Sequence, residues 1–317
     1  MSPSQVFVRL LGAVPLLLGI SLLLFLIIHL APGGPLDVYA DNPSVTPEAM
    51  RQMREAFGLD RPLPLQYLLW LKATLTGNWG FSFRTGQPVL REIVDRLRPT
   101  IELGTTAIVF SLVVAVPLGA FCAARRGSRL DHALTFLSFA GISAPVFWLG
   151  LLLQLTFSIG LGWLPSAGYQ SVDDGSLGDR LAHIAMPAAV LSLATVASWS
   201  RYVRAGMLDV LGQDYIRTAH AKGRSEFAVI AVHALRNALI PAVTIIALDL
   251  ASLVSGAVIT ETVFAWPGVG RLFMESMEGR DYAMLMGLLM MGSAAIIVAN
   301  IVADIGCALL DPRIRDG

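Results

Sequence analysis

Charge is scarce in this chain. Of 317 residues, 15% are Asp, Glu, Lys or Arg, against about 25% in an ordinary soluble domain. With 55% hydrophobic residues and a mean hydropathy of +0.66, too little polar surface remains to cover a water-soluble core of this size. A bias of sign is also missing: 23 basic and 23 acidic residues give a net charge of zero, so no bulk field favours nucleic acid. Cysteine is nearly absent, and Cys122 and Cys307 both fall inside apolar runs, which excludes a disulfide framework. Motifs of chemistry are lacking too. There is no H-E-x-x-H, no G-x-S-x-G and no G-x-x-x-x-G-K-[ST] phosphate loop, and the five histidines (His29, His132, His183, His220, His233) fit no metal-ligand spacing. An enzyme, a metalloprotein and a nucleotide-binding chain are all disfavoured. An all-α integral membrane protein is what remains.

Long apolar runs are what the sequence has. A spanning helix needs about 20 apolar residues to cross a hydrocarbon layer about 30 Å thick. Runs free of Asp, Glu, Lys and Arg cover Leu10–Leu36, Leu103–Ala124, His132–Val172, Leu181–Ser200 and Tyr282–Ala303, and Asn237–Thr260 is broken only by Asp249. The third run is too long for one helix. Its tail, 160–171, is rich in Gly, Pro, Trp and Tyr, so the span is expected over Ala133–Ile159. The first run is too long for a signal-peptide core and ends in Ala31-Pro-Gly-Gly-Pro35 rather than a small-residue cleavage site. It reads as a retained first helix. Six spans follow.

With six spans, both termini and the second and fourth loops share one side and carry twelve basic residues. The short loops opposite carry three, Arg180, Arg271 and Arg280. The positive-inside rule makes the first side cytoplasmic; the long first loop carries little weight in that count. The expected organisation is 1–31 as N-terminus and first span, 32–98 as an extracytoplasmic helical loop, and 99–317 as a five-helix core with a cytoplasmic loop at 201–236. The outer loop is too long for a plain connection. Thr46-Pro47 opens a helix that Gly58 ends, Leu63–Leu75 forms a second, and Gln87–Leu97 a third short one with Glu92 and Arg96 one turn apart. Trp79, Phe81 and Phe83 either meet a partner outside the membrane or anchor the loop.

The cytoplasmic loop holds two helical patterns. Met207, Leu208, Leu211, Tyr215, Ile216 and Ala219 form one, ahead of Gly223 at a helix-ending left-handed position. Phe227, Ile230, Ala231, Ala234 and Leu235 form the next, capped by Ser225. A first helix of this length is marginal alone in water. Its apolar side needs lipid, its own bundle or another protein.

Gln213-Asp-Tyr-Ile-Arg-Thr-Ala-His-Ala-Lys-Gly223 followed by His233-Ala-Leu-Arg-Asn-Ala-Leu-Ile-Pro241 resembles the coupling-loop signature of ABC-importer permease subunits, in the dipeptide, oligopeptide and nickel branch. The wider superfamily begins this loop Glu-Ala-Ala with a Gly four residues on. Arg217-Thr-Ala219 and Gly223 keep the spacing with Arg at the Glu position, as in the peptide branch. Further matches run along the chain: Leu30-Ala-Pro-Gly33, Leu59-Asp-Arg-Pro-Leu63 with Gln66-Tyr67, Pro88-Val89, Arg126-Gly-Ser128, Pro145-Val-Phe-Trp-Leu-Gly150, Leu161-Gly-Trp-Leu-Pro165, Glu261-Thr-Val-Phe-Ala-Trp-Pro-Gly-Val-Gly-Arg271 and Asp311-Pro-Arg-Ile-Arg315. The usual outer Gly-Asp-Pro stands here as Gly-Gly-Pro.

The resemblance implies the type I ABC-importer permease fold in a bacterial cytoplasmic membrane. It implies a second homologous permease subunit, two cytoplasmic ATPase subunits that carry ATP and Mg, and an extracytoplasmic solute-binding protein, with no cofactor in this chain. Asp214, Tyr215, Arg217, Thr218, Ala219, Ala221, Lys222 and Gly223 are then the ATPase-coupling residues. Asp249, mid-span, is either a group on the substrate pathway or a buried partner for Ser252, Ser255 or the second permease, since a lone carboxylate there costs about 2.5–3.5 kcal/mol. An ion-coupled carrier or channel using Asp249 is the competing function, although no internal repeat supports it. Asp304 is expected to pair with Arg201 or Arg204. Pro117 and Pro145 are expected to kink their helices, and Met284, Met286, Met290 and Met291 to pack in the lipid or core rather than form an adaptable lining for varied solutes.

Overall fold

A computed structural model describes residues 3–30, 36, 45–56, 58–239 and 257–310. Asp249, the ending Asp311–Arg315 and the side chain of Asp304 lie outside the described residues. Among the described residues the architecture is all helical, with one isolated antiparallel bridge between Phe81 and Pro88. Two compact units divide the chain: Met1, Pro99–Trp266 and Val298–Gly317 form one, and Ser2–Arg98 with Pro267–Ile297 the other.

The unit containing the N-terminal segment begins with α1 (Pro3–Leu30). Helix α2 (Pro47–Ala56) starts where expected, the Thr46 hydroxyl accepting from the Ala49 amide at 3.2 Å. Helix α3 (Leu63–Leu75) follows Pro62 and has no buried residue. The expected third short helix does not exist as such. It is the start of a 36-residue helix, α4 (Val89–Ala124), which continues through Pro99 and Pro117. Each proline removes one backbone bond, a loss that a helix can absorb where neighbouring groups re-satisfy it. Glu92 does not serve Arg96 in this helix; its carboxylate accepts from the Thr85 hydroxyl.

The same unit closes with α11 (Val269–Glu278) and the first part of α12 (Tyr282–Leu310), where α10 (Val258–Val263) belongs to the other unit. Val89, Ile93, Leu272, Met284 and Leu288 form its core. Met284 and Met286 thus sit in packed interior, 1% and 3% exposed. Gly287 is needed there, because a Cβ would lie 2.6 Å from Val89 Cγ1. Asp281 caps α12, accepting from the Met284 amide at 3.1 Å and from the buried Ser82 hydroxyl.

In the other unit the expected third span is divided. Helix α5 (Arg129–Ser143) stops, Pro145 stands extended at φ −61°, ψ 130°, and α6 (Val146–Leu153) begins after it. A π-helical turn over Gln154–Gly160 completes the run. Pro145 therefore breaks the helix where a kink was expected, because it bars the α conformation at Ala144 and supplies no N–H of its own. Helix α7 (Leu177–Leu211) is capped by Ser176, whose hydroxyl accepts from the Asp179 amide. It runs 35 residues, well past the expected end at Ser200.

Leu11–Leu30, Val89–Ala124, Leu177–Leu211 and Tyr282–Val302 are the described helices long and apolar enough to cross a bilayer. The third expected span is the interrupted run just described, and most of the fifth lies outside the described residues.

Candidate functional site

The loop after α7 is built by three local devices. Gly212 ends α7, and Gln213 then turns extended (φ −80°, ψ 151°) as the N-cap of α8 (Asp214–Ala221). At the far end Gly223 adopts φ +75°. Its amide bonds the His220 carbonyl at 2.9 Å and the Arg224 amide bonds the Ala219 carbonyl at 3.4 Å. This pair of bonds is a Schellman closure, which asks for a residue without a Cβ. Ser225 then caps α9 (Glu226–Ala228), accepting from the Ala228 amide. The first sequence pattern is thus split: Met207, Leu208 and Leu211 belong to α7, while Tyr215, Ile216 and Ala219 belong to α8.

Helix α8 is short, and packing holds it. Ile216 and Ala219 are 2% and 9% exposed, and they join Trp199, Val203, Met207, Val229 and Ala234 in the largest hydrophobic cluster among the described residues. Asp214, Tyr215, Arg217, Thr218, Ala221, Lys222 and Gly223 face out. Ala219 parts from the other expected coupling residues here, since its side chain is turned into the protein's own core. Tyr215 is tethered as well: Asn237 donates from Nδ2 to the Tyr215 hydroxyl at 3.0 Å and to the His233 carbonyl at 3.0 Å. The Arg217–Asp214 pair at 3.4 Å is fully in solvent and adds little. Asp214 in the first turn suits the positive end of the helix.

The second pattern holds at Ala234, Ile230 and Leu235, which join or pack against the core cluster, and departs at Phe227. A π-helical turn covers Val229–Ala234. Each such turn takes one more residue than an α turn and rotates the following face. Val229 and Ala234 are buried, whereas Phe227 is 80% exposed.

Beneath this loop, α7 is clamped. Its guanidinium Arg204 donates from Nε to Asp131 Oδ1 and from Nη2 to Asp131 Oδ2, both at 2.8 Å. Asp131 is 3% exposed and also accepts from the Gly127 amide at 3.0 Å. The Arg204 hydrogen bonds hold its carboxyl below the usual carboxylate range, against the opposing effect of burial. Arg204 pairs with Asp131, the expected Asp304 partnership lies outside the described residues, and Arg201 lies over the Phe139 ring at 5.0 Å. Sequence reasoning missed Asp131. Its signal was Ser128-x-x-Asp131, a helix-start pattern, and the Ser128 hydroxyl does accept from the Asp131 amide at 3.2 Å.

Two glycines let the helices approach. A Cβ on Gly119 of α4 would lie 2.5 Å from the Ser200 carbonyl oxygen of α7, and one on Gly206 of α7 would lie 2.6 Å from the Ala238 carbonyl oxygen. The start of α8 is therefore fixed through α7 to α4, α5 and the segment that follows the loop.

Residues 115–316 match the family described as "Binding-protein-dependent transport system inner membrane component", and residues 4–104 match its N-terminal companion. The chain belongs to this family. Among its relatives is the oligopeptide transport system permease protein AppB of Bacillus subtilis, 41% identical over 309 residues and covering 97% of this chain and 98% of the relative. The dipeptide transport system permease protein DppB of Escherichia coli K12 is 37% identical over 334 residues, with 98% of each chain covered. A di/tripeptide permease protein DppB of Pseudomonas aeruginosa is 37% identical over 321 residues, covering 95% of this chain and 96% of the relative. Family and apolar helices together make this a multi-pass, all-α permease of the inner membrane, and they disfavour the ion-coupled carrier.

Proposed function

We propose that this chain is the peptide-conducting permease subunit of an ATP-driven importer, with α8 as the helix that couples it to a cytoplasmic ATPase. The observation that carries the reading is the two-sidedness of α8. Ile216 and Ala219 root it in the core, while Arg217, Thr218, Ala221 and Lys222 stand in solvent on a helix too short to stand alone. A rooted helix with a free face transmits rigid-body motion. Arg217, Lys222 and Arg224 complement acidic groups on a partner, and the small Ala221 and Gly223 admit its backbone closely. Peptide cargo is supported by the relatives named for oligopeptides, dipeptides and di/tripeptides.

Closure of two ATPase subunits around ATP and Mg would draw this chain and a homologous permease partner from inward- to outward-facing. An extracytoplasmic binding protein would then deliver its peptide. The reading puts both termini and the 201–236 loop in the cytoplasm and the 32–98 loop outside. Asp249 is retained as a pathway group for a peptide's ammonium. Asp249→Asn should then lower uptake more than assembly, and equal loss of both would make it structural.

The test is the reconstituted complex with its ATPase and binding-protein partners. Ala221→Trp and Gly223→Trp should abolish peptide-stimulated ATP hydrolysis with membrane insertion intact, and a photocrosslinker at His220 should capture the ATPase. Unchanged stimulation in both variants, with crosslinks only to phospholipid, would refute the assignment of α8.

A further inference from the structure

Helix α3 is anomalous for an extramembrane loop. Its sequence, Leu63-Pro-Leu-Gln-Tyr-Leu-Leu-Trp-Leu-Lys-Ala-Thr-Leu75, is apolar on every side, yet none of its residues is buried. Leu63, Leu65, Leu68, Leu69 and Leu75 are 39%, 43%, 59%, 41% and 77% exposed. A helix that is hydrophobic all round belongs inside a protein or inside a membrane; Tyr67 and Trp70 turn one side of it to α1, while its leucines have no cover among the described residues.

Its depth agrees. The described apolar stretch of α1, Leu11–Leu30, has 20 residues, enough at about 1.5 Å per residue to cross a hydrocarbon layer about 30 Å thick. Ser21 lies nine residues before Leu30, hence about 13 Å below the loop-side end and close to the middle of the layer. The Tyr67 hydroxyl of α3 is 2.9 Å from the Ser21 hydroxyl. The Tyr67 and Trp70 rings lie 5.4 and 6.3 Å from the Phe25 ring, one turn farther out. Helix α3 therefore packs alongside the loop-side half of α1, at acyl-chain depth. With Asp60 and Arg61 before it and Lys72 near its end, it stays on that side without crossing.

Between α1, α3 and the first turns of α12 lies a cleft of about 500 Å³, within the range of ligand-sized sites. Phe25, His29, Trp70, Trp79, Tyr282 and Met286 line it. Beside His29, its α1 wall adjoins an exposed apolar strip, Leu22 and Leu26 being 43% and 40% exposed. We propose that α3 is immersed in the loop-side leaflet and that this cleft holds an acyl chain of a membrane phospholipid. The ring stack at its rim suits the boundary between chains and headgroups, where Trp and Tyr favour the interface. This rests on the membrane-protein fold alone and does not depend on α8.

The complex should be reconstituted in nanodiscs of phosphatidylcholine and phosphatidylglycerol carrying a diazirine at the acyl terminus. Adducts are expected on α3 and on the first turns of α12. Ala283→Trp and Ala73→Phe, which fill the cleft, should remove the adducts on the first turns of α12 and leave those on the outward leucines of α3 and on Leu11–Leu18. If one variant fails to assemble, the other is read. Leu68→Cys should resist a membrane-impermeant maleimide that labels Glu48→Cys. Adduct yields unchanged by both filled clefts, labelling of Leu68→Cys equal to that of Glu48→Cys, or adducts on the binding protein or partner permease in place of α3 would each overturn the proposal.

Discussion

Arg204 closes on Asp131 with both ends of its guanidinium fork, Nε on Oδ1 and Nη2 on Oδ2, each at 2.8 Å. Such bidentate pairing is specific to arginine. The pair ties α7 to the start of α5 one turn before Leu208, on the stretch of α7 that leads into α8. Replacing Asp131 by Ala leaves Arg204 without this partner in a largely closed site. With the Arg204 side chain 30% exposed, water recovers part of the loss, and a cost of about 2–3 kcal/mol is expected. Arg204→Lys should lose about half of that, because a single ammonium cannot serve both oxygens. Unfolding monitored in detergent would show neither shift if the pair were idle.

The same contact carries a pH signature. The Asp131 carboxyl is lowered in the folded protein, chiefly by its hydrogen bonds to Arg204. The unfolded carboxyl titrates near pH 3.9. The stabilisation is thus complete above about pH 4 and disappears as the pH falls through the lower folded value. Midpoints of thermal unfolding should drop on going from about pH 5 to about pH 3, and Asp131→Asn should flatten that part of the profile. An identical slope in the variant would assign the acid sensitivity to other carboxylates.

Close approach of α4 to α7 at Gly119 predicts a different failure. A Cβ there meets the Ser200 carbonyl oxygen at 2.5 Å and Val203 Cβ at 2.8 Å, neither of which is the movable end of a side chain. Gly119→Ala should cost about 1–3 kcal/mol through forced separation of the helices, and Gly119→Leu should prevent accumulation in the membrane. Gly104, with nothing within 4 Å, is the control at which Ala should be neutral or mildly stabilising. Equal expression of the two alanine variants would count against the packing.

What could be read from the residues alone was local. Thr46-Pro47, Ser225 and Gly223 act on their own few neighbours, and each behaves as its pattern predicts. The apolar runs fixed the membrane class, because bilayer thickness sets one length for all. Failures came where distant contacts decide. The short helix expected to end at Leu97 runs on through Pro99 as α4, and the Pro99 carbonyl accepts from the Trp266 indole at 2.9 Å, from 167 residues away. The Asp131 partner of Arg204 lies 73 residues away, and Phe227 stands outside the core cluster that Val229 and Ala234 join. In the candidate site, the residues of α8 were legible as a group. The inward facing of Ala219 was not, since the face of an eight-residue helix is set by the cluster beneath it.

Gly223 separates conformation from contact. At φ +75° any L-residue with a Cβ is strained by about 1–2 kcal/mol, with Asn affected least. Gly223→Asn should therefore fold nearly as well as the parent, and Gly223→Val should loosen the end of α8. Protection of the Arg224 amide, which bonds Ala219, would report it by hydrogen exchange. Retained protection in the valine variant would mean that the turn does not need the left-handed residue.

Ala219 and Ala221 stand two residues apart on α8, one 9% exposed within the core cluster and the other in solvent. The same substitution at each should fail for different reasons. Ala219→Glu drives a carboxylate into the cluster of Trp199, Met207 and Val229, where burial without a partner costs several kcal/mol. The expected result is loss of folded permease, read as poor recovery and early unfolding in detergent. Ala221→Glu meets only water in the isolated chain and should leave recovery and melting unchanged. In the complex it places a negative charge and added bulk on the face proposed to meet the ATPase, so peptide-stimulated ATP hydrolysis should fall while basal hydrolysis stays. If Ala221→Glu unfolded the chain, α8 would be packed differently from the arrangement described. If it folded and stimulated normally, the exposed face would not be the one that carries the coupling.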